Sequence, residues 1–401
     1  MNGMAQWTWL VYMAGDNNLE GFGRADLAEM KRVGSTDDVN VVVQFDTEES
    51  GAARFLVKKD GLRTIEEMPG VDCGDPAVLT RFLKWGMTAF PASHYLLDVW
   101  NHGSGWERLP PDYDYDAIRA LKPSAARGRH QLRRALFRTT VKKIHERTAN
   151  ARAIAIDCGS QDYLDNRELR EAVSKALPNG RKLDILGCDA CLMNMLEVAY
   201  EMKDTARFMV GSEETEPVDG WPYAEILDRL VARPSTEPVE LARIIVGEYA
   251  RYYRSREESV TQSALDLGRI ATIAAAVDEL ADSLCRSIDD VAGVVSLARD
   301  RAQKFDMPEY VDLGDLASEL ARRLPHRSDV QAATSKIKAG LALGDPDSFV
   351  VESVTWGHKM ARATGVSIYL PRQADYAPDY KDLFFSAEHR WKGFLEALVA
   401  A

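Results

Sequence analysis

Histidine and cysteine, paired, supply a nucleophile and its proton partner near neutral pH, and this chain sets one of each just past a buried strand. The run His94-Tyr-Leu-Leu-Asp-Val-Trp100 empties into Asn101-His102-Gly103-Ser104-Gly105-Trp106, where the glycines let the backbone approach a ligand closely. The run Leu183-Asp-Ile-Leu186 empties into Gly187-Cys188-Asp189-Ala190-Cys191-Leu192-Met193, and a helix is expected to begin there. A thiol at such a junction would sit near unpaired N–H groups and the positive end of the helix dipole, which lower a cysteine's pKa from about 8.5 toward neutrality. Cys191 is therefore the candidate nucleophile, and His102 can supply the proton that an amine leaving group needs. The other histidines lack that setting. His94 lies on a strand, His130 and His145 lie in a basic segment, and His326, His358 and His389 lie in the distal portion with no strand-end glycine. The spacing Cys188-x-x-Cys191 also admits a redox motif or half a zinc site. A four-ligand site needs a second pair, which the chain lacks, and a thioredoxin-type motif places its first cysteine at the helix start.

Positioning such a pair requires buried parallel strands. Short β-branched and aromatic runs predict strands over 7–13, 39–45, 94–100, 153–157, 183–186 and 208–211. Helical periods over 19–33, 76–87, 167–176 and 191–202 alternate with them, and Asp165 or Asn166 marks one start. This alternation predicts an α/β fold with a mostly parallel central sheet covered on both faces, which binds ligands beyond the carboxyl ends of its strands. Past about residue 238 the pattern turns to amphipathic helices over 269–301, 313–324 and 329–343. Strand chemistry returns at 348–356 and 365–370, followed by a helix at 391–398. The expected organisation is a core over 1–237, a helical insertion or cap over 238–345, and a segment 346–401 that returns to the core.

The 401 residues carry 50 Lys and Arg against 62 Asp and Glu, a formal charge of −12. That balance argues against a sequence-independent grip on nucleic acid and suits a cationic partner. Five cysteines, at 73, 158, 188, 191 and 285, are too few and scattered for a disulfide framework, and the odd count leaves at least one thiol free. No apolar stretch approaches the roughly 18 residues needed to span a bilayer, so no membrane partner is expected. The apolar run over 7–14 lacks a basic flank, so it does not read as a signal peptide and the expected location is cytoplasmic, unless a leader was removed. Inside the acidic chain lies a basic segment. Between Arg119 and Arg152 come Lys122, Arg127, Arg129, Arg133, Arg134, Arg138, Lys142, Lys143 and Arg147, with Glu146 the only acid.

At His102-Gly103 and Ala190-Cys191 the sequence resembles the clostripain family of cysteine peptidases, in the clan that also holds caspases, gingipains, legumain and separase. The resemblance extends through Tyr12-Met-Ala-Gly-Asp-Asn-Asn-Leu19, Glu197-Val-Ala-Tyr-Glu201, Gly211-Ser-Glu-Glu-Thr-Glu-Pro217, Asp219-Gly-Trp-Pro-Tyr223, Ser263-Ala-Leu-Asp266 and Ser367-Ile-Tyr-Leu-Pro371. It implies a caspase-like α/β/α sandwich with a His102/Cys191 dyad, and an oxyanion held by the backbone N–H groups of Gly103 and Cys191. It also implies that Asp189 lines the pocket for the residue preceding the cut, with Asp219 as second acid. Two carboxylates there would select Arg, whose planar fork binds them bidentately, and then Lys. The bland alternative for Asp189 is a helix cap at Cys191.

Relatives are commonly cut between the His strand and the Cys strand. The resemblance therefore makes Arg127, Arg129, Arg133 and Arg134 processing candidates, in a zymogen activated by itself or by a partner protease, for instance in a stress or antiviral response. Its expected partners are proteins or peptides with exposed Arg or Lys. No cofactor is required. Some relatives depend on calcium, which stays open here, with its ligands unknown: Asp112-Tyr-Asp-Tyr-Asp116 starts like an EF-hand loop, but Ala117 replaces the needed glycine and Pro123 the bidentate glutamate. The competing reading is a catalytically inactive caspase-like scaffold that binds a partner through its helical region. A redox protein using Cys188 and Cys191 ranks third.

Overall fold

The runs richest in Val, Leu and Trp become strands of one nine-stranded sheet. They are β1 (Ala5–Gly15), β2 (Val39–Thr47), β3 (Gly51–Lys58), β4 (Gly61–Met68) and β5 (Ala92–Trp100). After the short pair β6 (Ile154–Asp157) and β7 (Asp162–Leu164) follow β8 (Leu183–Asp189), β9 (Ala206–Gly211) and β10 (Val260–Asp266). The ninth is β12 (Val350–Trp356), while β11 (Tyr310–Asp312) and β13 (Ser367–Tyr369), like β6 and β7, pair only with each other outside this sheet. The computed structural model describes residues 4–106, 114–120, 154–256 and 258–401.

Across the sheet the order is β12-β10-β9-β8-β5-β1-β2-β3-β4. The five strands from β9 to β2 run parallel, and antiparallel strands flank them on both sides. β8 is buried at every position and β1 at every position but Gln6, as a sheet covered on both faces requires. Helix Pro76–Ala89 packs against Asn166–Ala176, and helix Glu20–Val33 against Tyr223–Ala232. Asp165 starts Asn166–Ala176 with a reciprocal capping box to Glu168.

Three expectations change. β10 lies inside 238–345, the stretch read as helical, and joins the central sheet between β9 and β12. Thr261, Gln262 and Ser263 are all buried there, on alternating faces, so the sequence shows no apolar run. The helix expected over 269–301 is two, Ile270–Cys285 and Ile288–Arg301. The helix expected from Cys191 begins at Leu196 instead: Leu192 takes a left-handed φ of 62°, and Met195 is held extended in a bridge to Ser367. That bridge, with the β11/β13 pair and the β10/β12 pair, ties the C-terminal segment to the core. No described helix is long and apolar enough to cross a membrane.

Candidate active site

Parallel pairing sets the level of the two chemical residues. In the β5/β8 ladder Trp100 faces Asp189, and the Asn101 N–H donates to the Asp189 carbonyl at 3.3 Å. His102 and Cys191 each lie two residues beyond that pair, so the register carries both past the same edge. The contact between the loops needs a glycine: a Cβ on Gly103 would lie 2.4 Å from the Cys191 carbonyl oxygen and 3.1 Å from the Ala190 methyl. Asn101 braces the His loop, donating to the Ala14 and Ile156 carbonyls and accepting from the Ile156 N–H at 2.8 Å. Asn17 donates to the same two carbonyls at 2.9 and 2.8 Å. One residue on, Asn18 Oδ1 lies 2.7 Å from His102 Nε2 and fixes the ring orientation. Reading residue types did not assign Asn18 a role, although it lies in the quoted motif at 12–19.

His102 is fully buried, and burial pushes its imidazole down to about 3. The unfolded chain binds a proton at this side chain near pH 6.5, whereas the folded chain stays neutral until about pH 3. Its contribution to stability is thus intact above pH 6.5 and falls by roughly 1.4 kcal/mol per pH unit below that, down to the folded value. Between pH 6.5 and 4, His102→Gln should lose less stability than the parent, as urea denaturation at each pH would measure. An equal loss in both would show that His102 does not titrate this way.

Cys191 is also fully buried. Its Sγ accepts the Glu216 N–H at 3.2 Å. Burial, then the neighbouring Glu216, pushes the thiol well above its ordinary range. The lowered pKa expected from a helix N-terminus is overturned, because that helix starts five residues later. Cys188, in β8, is buried and its thiol is likewise raised, chiefly by burial. All five cysteines are free thiols.

Asp189 is not the cap of a helix. Its Oδ2 accepts the Trp221 N–H at 3.1 Å and the Tyr223 hydroxyl at 2.8 Å, and the oxygen of the same hydroxyl lies 3.0 Å from Asp98 Oδ2. Burial raises Asp189, and the Glu216 carboxyl that lies against it is pushed well above the usual carboxylate range by burial and then by Asp189. Asp219 is half-buried in the turn that Gly220 closes with a φ of 56°. A Cβ on Gly220 would stand 2.8 Å from Asp189 Oδ2, so the turn bearing Asp219 seats directly on Asp189. Tyr253 holds that turn through a hydroxyl donated to the Gly220 carbonyl at 2.8 Å. Glu216 and Asp98 are members of this acid cluster that the sequence reading did not nominate.

The processing candidates Arg127, Arg129, Arg133 and Arg134 lie outside the described residues, as does Asp112. Asp114 is described and caps the short helix Tyr115–Arg119 through the Ala117 N–H. Among the described residues one group brings three possible metal ligands together: Asp46, Cys73 and Asp157, with ligand atoms within 4.8 Å of one another. A thiol in the set does not fit calcium, which takes oxygen ligands. Backbone N–H groups of Val71, Cys73 and Ser160 already engage the two carboxylates.

Residues 11–117 and 142–397 match the clostripain family. Over 265 residues the chain is 23% identical to clostripain of Hathewaya histolytica. The match covers 57% of this chain and 43% of that protein, so it spans less than half of the relative's length. Among solved structures, the fold is similar to a secreted clostripain-family cysteine protease from Bacteroides thetaiotaomicron in complex with an irreversible peptide inhibitor. The TM-score is 0.64 at 19% identity, covering 98% of this chain and 99% of that one. An inactive zymogen protease of the family from Parabacteroides distasonis gives 0.66 at 21% identity, covering 96% and 99%. The expected caspase-like architecture, with its mostly parallel sheet, is the fold of this chain.

Proposed function

The chain belongs to the clostripain family, and on that premise we propose that it is a cysteine endopeptidase that cuts proteins and peptides after Arg, and after Lys second. The reading is carried by one observation: Gly103, next to His102, abuts the backbone of Cys191, while Asp189 and the Asp219 turn stand together beside them. In this scheme Cys191 Sγ attacks the scissile carbonyl. The N–H groups of Gly103 and Cys191 hold the oxyanion, each donor worth roughly 2.7–4 kcal/mol. His102 protonates the departing amine, and water then hydrolyses the thioester. A cationic side chain entering toward Asp189 and Asp219 finds charge that burial otherwise penalises. These steps draw only on groups of the chain and water.

In this reading the uncut chain is latent. A neutral imidazole held down to about 3 cannot protonate an amine, and a buried, protonated thiol is a weak nucleophile. Opening to water would return both groups toward their ordinary ranges. A zymogen cut within 119–152, by itself or by a partner protease, fits that requirement, because the segment connects the His strand to β6. The intact wild-type chain should resist iodoacetamide at Cys191 and leave Arg-terminated fluorogenic peptides uncut. After cleavage in the basic segment both should become fast, with the cut located by intact-mass spectrometry and absent from self-incubated Cys191→Ala. A cleaved chain that neither alkylates at Cys191 nor turns over peptide would favour the inactive scaffold.

A further inference from the structure

Three buried carboxyl groups from different parts of the chain converge at one point: Asp98 from β5, Asp189 from β8 and Glu216 from the loop after β9. Their relative exposures are 0%, 5% and 3%, and among the described residues none makes an ion pair. Asp189 is satisfied by Trp221 and Tyr223. Glu216 is not: neither of its carboxyl oxygens, nor Asp98 Oδ1, has a hydrogen bond of good geometry within the protein, the nearest polar groups being Asp189 and Gln262 for Glu216 and Trp9 for Asp98. Leaving such groups unsatisfied costs roughly 1–3 kcal/mol each. An unpartnered carboxyl aimed at a second carboxyl marks a place for a cation.

The backbone of Glu216 says which cation. Its N–H touches Cys191 Sγ at 3.2 Å, and its side chain reaches Asp189. The residue thus joins the nucleophile to the acid cluster, the span that the side chain preceding a scissile bond must cross. We infer that Glu216 is a further specificity-determining residue, the third carboxylate of the pocket, which pairs with Asp189 around a guanidinium or ammonium group and releases its proton as that cation enters. The inference rests on the endopeptidase reading for the source of the cation, not for its chemistry.

Charge balances in this exchange. In the empty pocket Asp189 and Glu216 share one proton and carry one negative charge. With the cation bound, both are ionised and the net charge is again one negative, the proton having gone to solvent. The groups that face Glu216 are Asp98, Asp189, Cys188 and Cys191, with Tyr249 and Tyr253 from helix Pro238–Arg254. Each either repels a second negative charge or is neutral, and none supplies a positive one. Burial and Asp189 accordingly hold Glu216 well above the usual carboxylate range.

Agmatine, a free guanidinium ligand, tests this directly on the full chain carrying Cys191→Ala, before and after cleavage of the basic segment. Calorimetry in two buffers of different ionisation enthalpy should report release of about one proton per agmatine bound. Adding Glu216→Gln should abolish the release and weaken binding about tenfold or more, while Glu216→Asp restores part of both. In active cleaved enzyme, Glu216→Gln should raise KM for Arg peptides by a similar factor and change kcat less than about threefold. Binding by Glu216→Gln that equals or exceeds the parent's, with the proton release intact, overturns the inference while leaving the endopeptidase reading standing. Proton-linked agmatine binding in a chain that cuts no Arg or Lys peptide supports the inference and removes the endopeptidase reading. Thermal melts of Glu216→Gln and Glu216→Asp separate misfolding from lost binding.

Discussion

Cys191→Ala should abolish turnover of Arg-terminated peptides, with kcat falling by roughly 10⁴-fold or more, the scale seen when a covalent nucleophile is deleted. Cys188→Ala should retain turnover. The contrast follows from the register. Cys188 is a buried residue within β8, opposite Val99 of β5, whereas Cys191 lies beyond the strand end against Gly103. Deleting the Cys188 sulfur removes a small piece of core, at a cost of about 1 kcal/mol for a buried methyl-sized group. Deleting the Cys191 sulfur removes the attacking atom and leaves only the donors. The measurement is steady-state hydrolysis by cleaved protein, normalised to melting temperature. Loss of activity in Cys188→Ala with full activity in Cys191→Ala would replace the peptidase assignment with the redox reading.

Asp189→Asn should lower kcat/KM for Arg peptides by roughly 10²- to 10³-fold, because removing one partner of a buried charge pair leaves the other uncompensated at about 3–5 kcal/mol. The amide keeps the size of the carboxylate and can still accept from Trp221 and Tyr223, so the fold should survive. Its NH₂ would point donors at a cation that is itself a donor. Alkylation of Cys191 in the cleaved enzyme should stay at the parent rate, which separates a binding defect from a damaged nucleophile. Hydrolysis of Arg peptides at the parent rate would remove Asp189 from the pocket.

Much of this was legible in the sequence because strand chemistry and chain order are local. The buried runs at His94 to Trp100 and Leu183 to Leu186 became β5 and β8, and the residues after them reached the same sheet edge. The Asp165 cap was legible for the same reason. What failed depended on contacts between distant segments. The thiol environment was inverted because Leu192 and Met195 respond to Glu214, whose carbonyl accepts the Leu192 N–H, and to Ser367. β10 was missed because its polar residues are satisfied across the sheet, as where Thr261 Oγ1 accepts from the N–H groups of Glu213 and Glu214.

By itself, the sequence determined the parallel α/β class, the two strand ends and the residue types that stand past them. Periodicity and strand order need only the local chain and the handedness of its crossovers. Only the tertiary structure decided the state of that chemistry. Burial, which no local pattern reports, holds His102 neutral and the Cys191 thiol protonated, and it gathers Asp98, Asp189 and Glu216 from separate segments into one acid cluster. Desolvation and like-charge proximity are properties of what surrounds a group in space, and those surroundings are assembled from the whole chain.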